Sequence, residues 1–371
     1  MKFTANSIEL QRTLNKLGSV IPAKSTMPIL ENILCELTSD VLTMTATDMA
    51  VALTVSLGVH AGEDGKVAIP AKRLLDTMRS LPDTSATFTI DPATSKIEIT
   101  TSNGKYGLTG EAAKDFPQLP PFKSNAEITL ESSELRTIIH RTNFAVSTDE
   151  LRPAMMGVLF QTKGAEIRAV STDGHRLVRL IHRQDKQVSL KRDVVVPAKA
   201  LAVLGKSIDE GETVISVSDT HVKFSFGQAF LISRLIDEAY PNYESVIPSD
   251  NDKQLTVKRD EMISSIRRVA LYASATTHQI RFDISTSRLN ITAQDVDFGG
   301  EAKETIPCTY TGDDLEIGFN STYLIDMLTH LESEQVAFRF STPTRAGILA
   351  PVGGDDRDDV LMLVMPVRLN A

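Results

Sequence analysis

An α+β chain of three repeated domains, each carrying two helices on antiparallel sheet, is the fold class this sequence predicts. Three observations carry it: a length beyond one ordinary core, a pattern recurring three times, and short alternating strands interrupted by amphipathic runs. The 371 residues suffice for two or three domains that each bury an apolar face. At 42% apolar and 23% charged, the composition is that of ordinary globular domains.

The first landmark of each third is a short alternating strand, at residues 2–5, 128–130 and 255–257. A helix follows each, with apolar residues at three- and four-residue spacing behind Ser7, Ser133 or Asp260, types suited to an N-cap. The second landmark is a strand ending at Asp48, Asp173 or Asp295. The third is a strand leading into another helix, at 67–72, 194–199 and 317–322. Thr4, Thr129 and Thr256 are separated by 125 and 127 residues, and the three Asp by 125 and 122. Joints rich in Pro or polar residues, 116–121 and 240–252, separate the copies, giving domains 1–122, 127–247 and 253–371. Helices on one side of antiparallel sheet follow from this alternation.

Several classes fall away. No apolar run approaches the roughly 18 residues that span a bilayer. The N-terminus enters a strand pattern with no secretory segment, so a cytoplasmic protein is expected. Cys35 and Cys308 match no metal-ligand spacing and read as small core hydrophobes. No metal or cofactor is expected. Asp173-Gly174-His175-Arg176 invites a general-base reading, but no nucleophile motif accompanies it, and the Asp recurs at 48 and 295 without His, as a structural turn does. Gly205-Lys206-Ser207 lacks the upstream glycine of a phosphate loop, Ala200 standing there. The run from Asp355 to Asp359 reads as a solvated hairpin tip, not a calcium loop. No catalytic residue is expected.

Six segments, in order and over the whole chain, resemble the bacterial DNA polymerase III beta subunit family, the sliding clamps. They are 1–4, 26–30 (Thr-Met-Pro-Ile-Leu), 172–177 (Thr-Asp-Gly-His-Arg-Leu), 240–243 (Tyr-Pro-Asn-Tyr), 317–320 (Ile-Gly-Phe-Asn) and 364–369 (Val-Met-Pro-Val-Arg-Leu). The resemblance implies a head-to-tail homodimer, six clamp domains in a ring, with helices lining the hole and sheet outside. It implies a processivity factor that encircles duplex DNA without reading its sequence and tethers enzymes to it. The partners it implies are the clamp loader, the replicative polymerase alpha subunit, translesion polymerases, mismatch-repair proteins and ligase, through short linear motifs, and no membrane. A static ring or scaffold that binds no DNA is the alternative.

Charge placement suits the ring. Five helix windows, 7–18, 71–80, 133–145, 198–208 and 259–272, carry +1 or +2 each, and the sixth, 321–334, carries −3. The helices hold +4 and the remainder −13 of a net −9. Phosphate contacts are expected from Lys16, Lys72, Arg73, Arg79, Arg136, Arg141, Lys199, Lys206, Arg267 and Arg268. The resemblance adds two loop positions, Lys24 and Arg152; aromatics that relatives carry after the latter are here Pro153 and Ala154, which puts base stacking in doubt. It also maps a peptide groove onto Met155, Thr172, Gly174, His175, Arg176, Leu177, Pro241, Val246, Ile247, Asn320, Tyr323, Val364, Met365, Pro366, Val367, Arg368 and Leu369. There Met155 and Met365 give adaptable walls, and Arg176 and Asn320 polar handles. The dimer interface it implies joins Leu271 and Tyr272 to Tyr106, and sets Lys72, Arg73 and Lys105 against Glu301 and Glu304.

Overall fold

The computed structural model describes residues 1–295, 298–354 and 356–369, so Asp355 of the acidic run lies outside the described residues. Its α-helices are α1 Ser7–Gly18, α2 Ala71–Ser80, α3 Ser132–Thr142, α4 Ala198–Ser207, α5 Arg259–Ala270 and α6 Ser321–Thr329. Two fall in each third, among mostly antiparallel strands, as the repeat predicts. Helix α1 shows why they form: Leu10, Thr13, Leu14 and Leu17 recur at helical spacing and are buried on one face.

The caps differ from expectation. The side chain of Asn6, not Ser7, accepts the N–H groups of Ile8 and Glu9, and Asn320 does the same for Thr322 and Tyr323. Ser7 is buried and donates to the Pro82 carbonyl at 2.7 Å, which ties the helix to the loop between α2 and strand 85–90. Helix α6 is shorter than its window. The chain leaves it at His330 so that Leu331 can bury, and Glu332 and Glu334 lie beyond it. Only Asp326 remains as a charge on α6, and the helices hold +6 instead of +4.

Four sheets carry the strands, and two of them cross the repeat boundaries. One unit comprises Met1–Arg136 with Lys199–Leu235. Its eight-stranded sheet is continuous because 51–58 of the first repeat pairs antiparallel with 229–234 of the second, Leu53 opposite Leu231. A second sheet of five strands ends at Lys105–Thr109. The other unit comprises Thr137–Ala198 with the chain from Ile236 on. Its nine-stranded sheet is continuous because 176–183 of the second repeat pairs with 358–364 of the third, Leu177 opposite Leu363. Its four-stranded sheet ends at Gly300–Pro307. The repeat divides the chain in three, whereas the sheets divide the middle repeat between two units.

The second unit also carries a partly buried charge cluster. Arg141, at the end of α3, donates to Asp358 at 2.6 Å and to Glu332 at 3.2 Å, and the His182 ring lies 2.7 Å from the other Asp358 oxygen. Burial alone would raise the Asp358 pKa; the His182 hydrogen bond, the His182 charge and Arg141 outweigh it and hold the carboxyl below its usual range. Arg141 is thereby withdrawn from phosphate: it has two carboxylates, and its side chain is only 15% exposed.

Arg141→Met strands two carboxylates and should cost roughly 2–4 kcal/mol of unfolding free energy near neutral pH. With a depressed folded pKa, the contribution of Asp358 is present above its ordinary value of 3.8 and is lost as pH falls through the lowered one. Urea unfolding should show a wide gap between variant and parent at about pH 7 and a narrow one at about pH 3. Equal gaps would refute this role for Arg141.

Candidate partner groove, basic residues and open edges

The groove is built on a turn. In Thr172–Arg176, the Asp173 carboxylate accepts the N–H groups of His175 at 2.8 Å and Arg176 at 2.9 Å, and the Thr172 hydroxyl donates to the Arg176 carbonyl at 2.7 Å. Thr47–Val51 repeats the pattern: Asp48 accepts from Ala50 and Val51, and Thr47 donates to the Val51 carbonyl. Asp173 is thus committed to its turn and, at 3.1 Å, to Arg176, not to general-base work. Gly174 holds φ +90°, and a Cβ there would lie 2.8 Å from Arg152 Nη1 and 3.6 Å from the Met155 methyl. Its positive φ favours glycine, and the Arg152 side chain lies across the space a Cβ would fill.

The chain's final segment lies against this turn. Met365 donates its N–H to the His175 carbonyl at 2.8 Å, and Val367 to the Gly318 carbonyl at 2.9 Å. A Cβ on Gly318 would meet Leu369 at 2.7 Å, so glycine is what lets the segment approach. Beside it a cavity of about 610 Å³ is lined by Val246, Ile247, Pro248, Arg345, Ala346 and Met365, among others. Val246 and Met365 are exposed, while Leu177, Val364 and Met155 are buried. Pro241, Gly174, His175 and Arg368 are exposed, Thr172 is buried, and Tyr323, Pro366 and Leu369 lie between. The cavity wall at Arg345 and Ala346 was not foreseen. Arg345 pairs with Asp250, a partner 95 residues away that only the folded chain reveals.

Two expected handles are engaged within the chain. Arg176 is buried and spends its guanidinium on Asp173, on Asp326 at 2.7 Å and on the Phe144 carbonyl at 3.1 Å. The Asn320 carbonyl oxygen caps α6, and its amide reaches the Thr277 carbonyl at 3.3 Å. Within the chain, Arg176 thus joins the turn to α6, and Asn320 caps that helix. Leu177 and Val364, likewise, are core beneath the groove.

The expected basic residues divide by partner. Lys24, Lys72, Arg73, Lys206 and Arg267 are exposed and make no ion pair among the described residues. Arg79 and Arg136 bond only to neutral oxygens, of Asn15 and Ile208. Lys16 pairs with Asp209, Lys199 with Asp48, Arg152 with Asp149 and Arg268 with Glu304. The hydrogen bonds between Arg268 and Glu304, both at 2.6 Å, hold the Glu304 carboxyl below its usual range. Glu304 therefore faces its own chain's Arg268, and Lys105 pairs with its own Glu98 at 3.2 Å.

Each unit has a strand at a sheet edge that bears on the expected interface. Lys105–Thr109 pairs only with 96–100, and Gly300–Pro307, which carries Glu301, only with 288–295, among the described residues. Leu271 is 80% exposed, and Tyr272 and Tyr106 are exposed too, so Leu271 is not helix core. Phe298, at 89% exposure, stands beside the same edge and was missed; an aromatic before a Gly-Gly turn was its signal.

Among the described residues no group of three or more His, Cys, Asp or Glu is arranged to hold a metal ion. Burial drives the Cys35 thiol up to about 12, which suits a core residue and not a nucleophile. No described helix is long and apolar enough to cross a membrane.

Comparison with known proteins adds to this geometry. Residues 1–120, 129–242 and 244–368 match the N-terminal, central and C-terminal domains of the DNA polymerase III beta subunit. The beta sliding clamps of Chlamydia muridarum and Caulobacter vibrioides are 30% and 32% identical, over the full length of both chains in each case. A sliding clamp from Bartonella birtlesii, bound to griselimycin, superposes with a TM-score of 0.93 at 30% identity, and one from Pseudomonas aeruginosa with 0.92 at 30%, each covering both chains completely. Three matched domains, full-length relatives and a shared fold agree that the chain belongs to the DNA polymerase III beta subunit family, the bacterial sliding clamps.

Proposed function

We propose that two copies of this chain close head to tail around duplex DNA and present the groove beside Met365 to the enzymes they tether. The family is a processivity clamp, not a catalytic subunit, and DNA and the replicative polymerase are the partners that membership implies. The single observation that supports closure is a pairing made twice within the chain and lacking its third instance. The third strand after each repeat's first helix pairs with the last strand of the next repeat, 51–58 with 229–234 and 176–183 with 358–364. The corresponding strand of the third repeat, 300–307, and the last strand of the first, 105–109, are the members of this series left without their counterpart among the described residues. A second copy satisfies both at once, and Leu271, Tyr272, Phe298 and Tyr106 supply the apolar anchors. The five free basic residues act on phosphate without base readout, so retention rests on topology. The groove takes a short extended motif with apolar ends, shared among the clamp loader, polymerases, mismatch-repair proteins and ligase.

Three outcomes test this reading. Leu271→Ala with Phe298→Ala should raise the dimer dissociation constant by roughly ten- to a hundredfold per anchor, read by analytical ultracentrifugation. A double mutant still dimeric at nanomolar concentration refutes the edge assignment.

For DNA, Lys206→Glu with Arg267→Glu should weaken binding to short linear duplex and flatten its salt dependence by about one logarithmic unit per lost contact. Clamp already loaded on closed circles should persist. Equal loss from circles and linear fragments argues against encirclement.

At the groove, Met365→Ala should weaken a fluorescein-labelled pentapeptide ending in leucine and phenylalanine by roughly tenfold or more, at about 1–3 kcal/mol, with dimerisation unchanged. Unchanged affinity beside a lowered melting temperature makes Met365 core and removes it from the site.

A further inference from the structure

Six side chains form one continuous stack beside the groove. The rings of His140 on α3 and His330 after α6 lie 4.6 Å apart, and His330 stacks on Phe144 at 4.0 Å and 8°. The Arg176 guanidinium carbon stands 5.3 Å from the Phe144 ring centre and 4.8 Å from that of Tyr323. Tyr323 in turn stacks on His175 at 5.9 Å and 19°. The series thus runs from an exposed histidine to the residue whose carbonyl holds Met365. It spans α3, the strand from Arg176 and α6, and no other aromatic series leads to this groove among the described residues.

We propose that His330, held between His140 and Phe144, is a positioning residue for the partner groove and makes it acid-sensitive: its protonation loosens the stack and weakens binding at His175 and Met365. This rests on the groove reading above and adds its regulation.

The protonation chemistry is fixed by one bond. His330 Nδ1 lies 2.7 Å from the Asp326 carbonyl, which can only accept, so Nδ1 donates and Nε2 is the nitrogen that titrates. The charged or titratable groups around the ring are His140 from α3, Asp326 from α6 and Arg176 from the strand. Burial first, and then His140 and Arg176, push His330 below its ordinary 6.5 against the pull of Asp326. Phe144 could stabilise a charged imidazole through its π-face, but it already serves the Arg176 guanidinium. With the folded value depressed, the stability tied to the neutral stack is present above 6.5 and is lost as pH falls toward the lowered value. An imidazolium at His330 is repelled by Arg176 along the very series that seats Tyr323 and His175.

The labelled pentapeptide measures it directly on the dimeric full chain, at about pH 7.5 and about pH 5.5. The parent should bind roughly three- to tenfold more weakly at the lower pH. His330→Phe keeps a ring on Phe144 but cannot take the proton, so its affinity should be nearly the same at both. His140→Phe, at an exposed position, removes one cause that pushes His330 down, so affinity at about pH 5.5 should fall further than in the parent, a readout that stands even if the first variant folds poorly. Both variants retain His175, so any dependence due to that residue remains visible in them. Full pH dependence in His330→Phe, a smaller response in His140→Phe, or none in the parent overturns the proposal. No binding by the parent at either pH overturns the groove itself, a different failure from a pH-independent one.

Discussion

The structure depends on one pairing, made twice. The last strand of a repeat lies antiparallel against the third strand of the repeat before it, apolar residue opposite apolar residue, as Leu53 faces Leu231 and Leu177 faces Leu363. Because side chains alternate across a strand, this register carries the core of one repeat into the next without a step. The helices, the turns at Asp48 and Asp173 and the groove all hang from these two junctions. The units therefore follow the sheets and not the repeat.

The same junction that joins two repeats makes a place for a partner. Strand 358–364 ends against the turn at Asp173, and the segment beyond it is held by the His175 and Gly318 carbonyls. The equivalent place in the first unit has Arg234 donating to the Ala50 carbonyl, Met49 standing at φ +78° where Gly174 stands at +90°, and Asp48 bound by Lys199. One architecture thus yields two seams of different chemistry. The later one has an Arg-aromatic stack and an exposed methionine; the earlier one has an ion pair and an exposed arginine.

The sequence revealed what local periodicity and repetition encode. Six helices were legible because their apolar residues recur at helical spacing, and the Asp turns because they recur three times. Pairings between distant residues were not legible. Arg176 looked like a ligand-facing handle because nothing in Asp-Gly-His-Arg announces Asp326, 150 residues on, and Arg141 looked like a phosphate contact because Asp358 lies 217 residues away. Burial decided both: an arginine withdrawn from water takes every carboxylate in reach. Phe298 escaped notice for the opposite reason, since a phenylalanine near a strand reads as core until its exposure is seen.

The open edges have a kinetic meaning. Both sheet junctions within the chain are closed by strands on one polypeptide, so a junction that parts finds its mate again at an effective local concentration set by the tether. The junction between copies has no such tether, and once parted it recloses only as fast as a second molecule, or the far end of the same pair, returns. Of the three kinds of seam in the closed assembly, the intermolecular one is where an applied force does lasting work. In the dimer proposed above, that seam is the one that stays apart longest once it has opened.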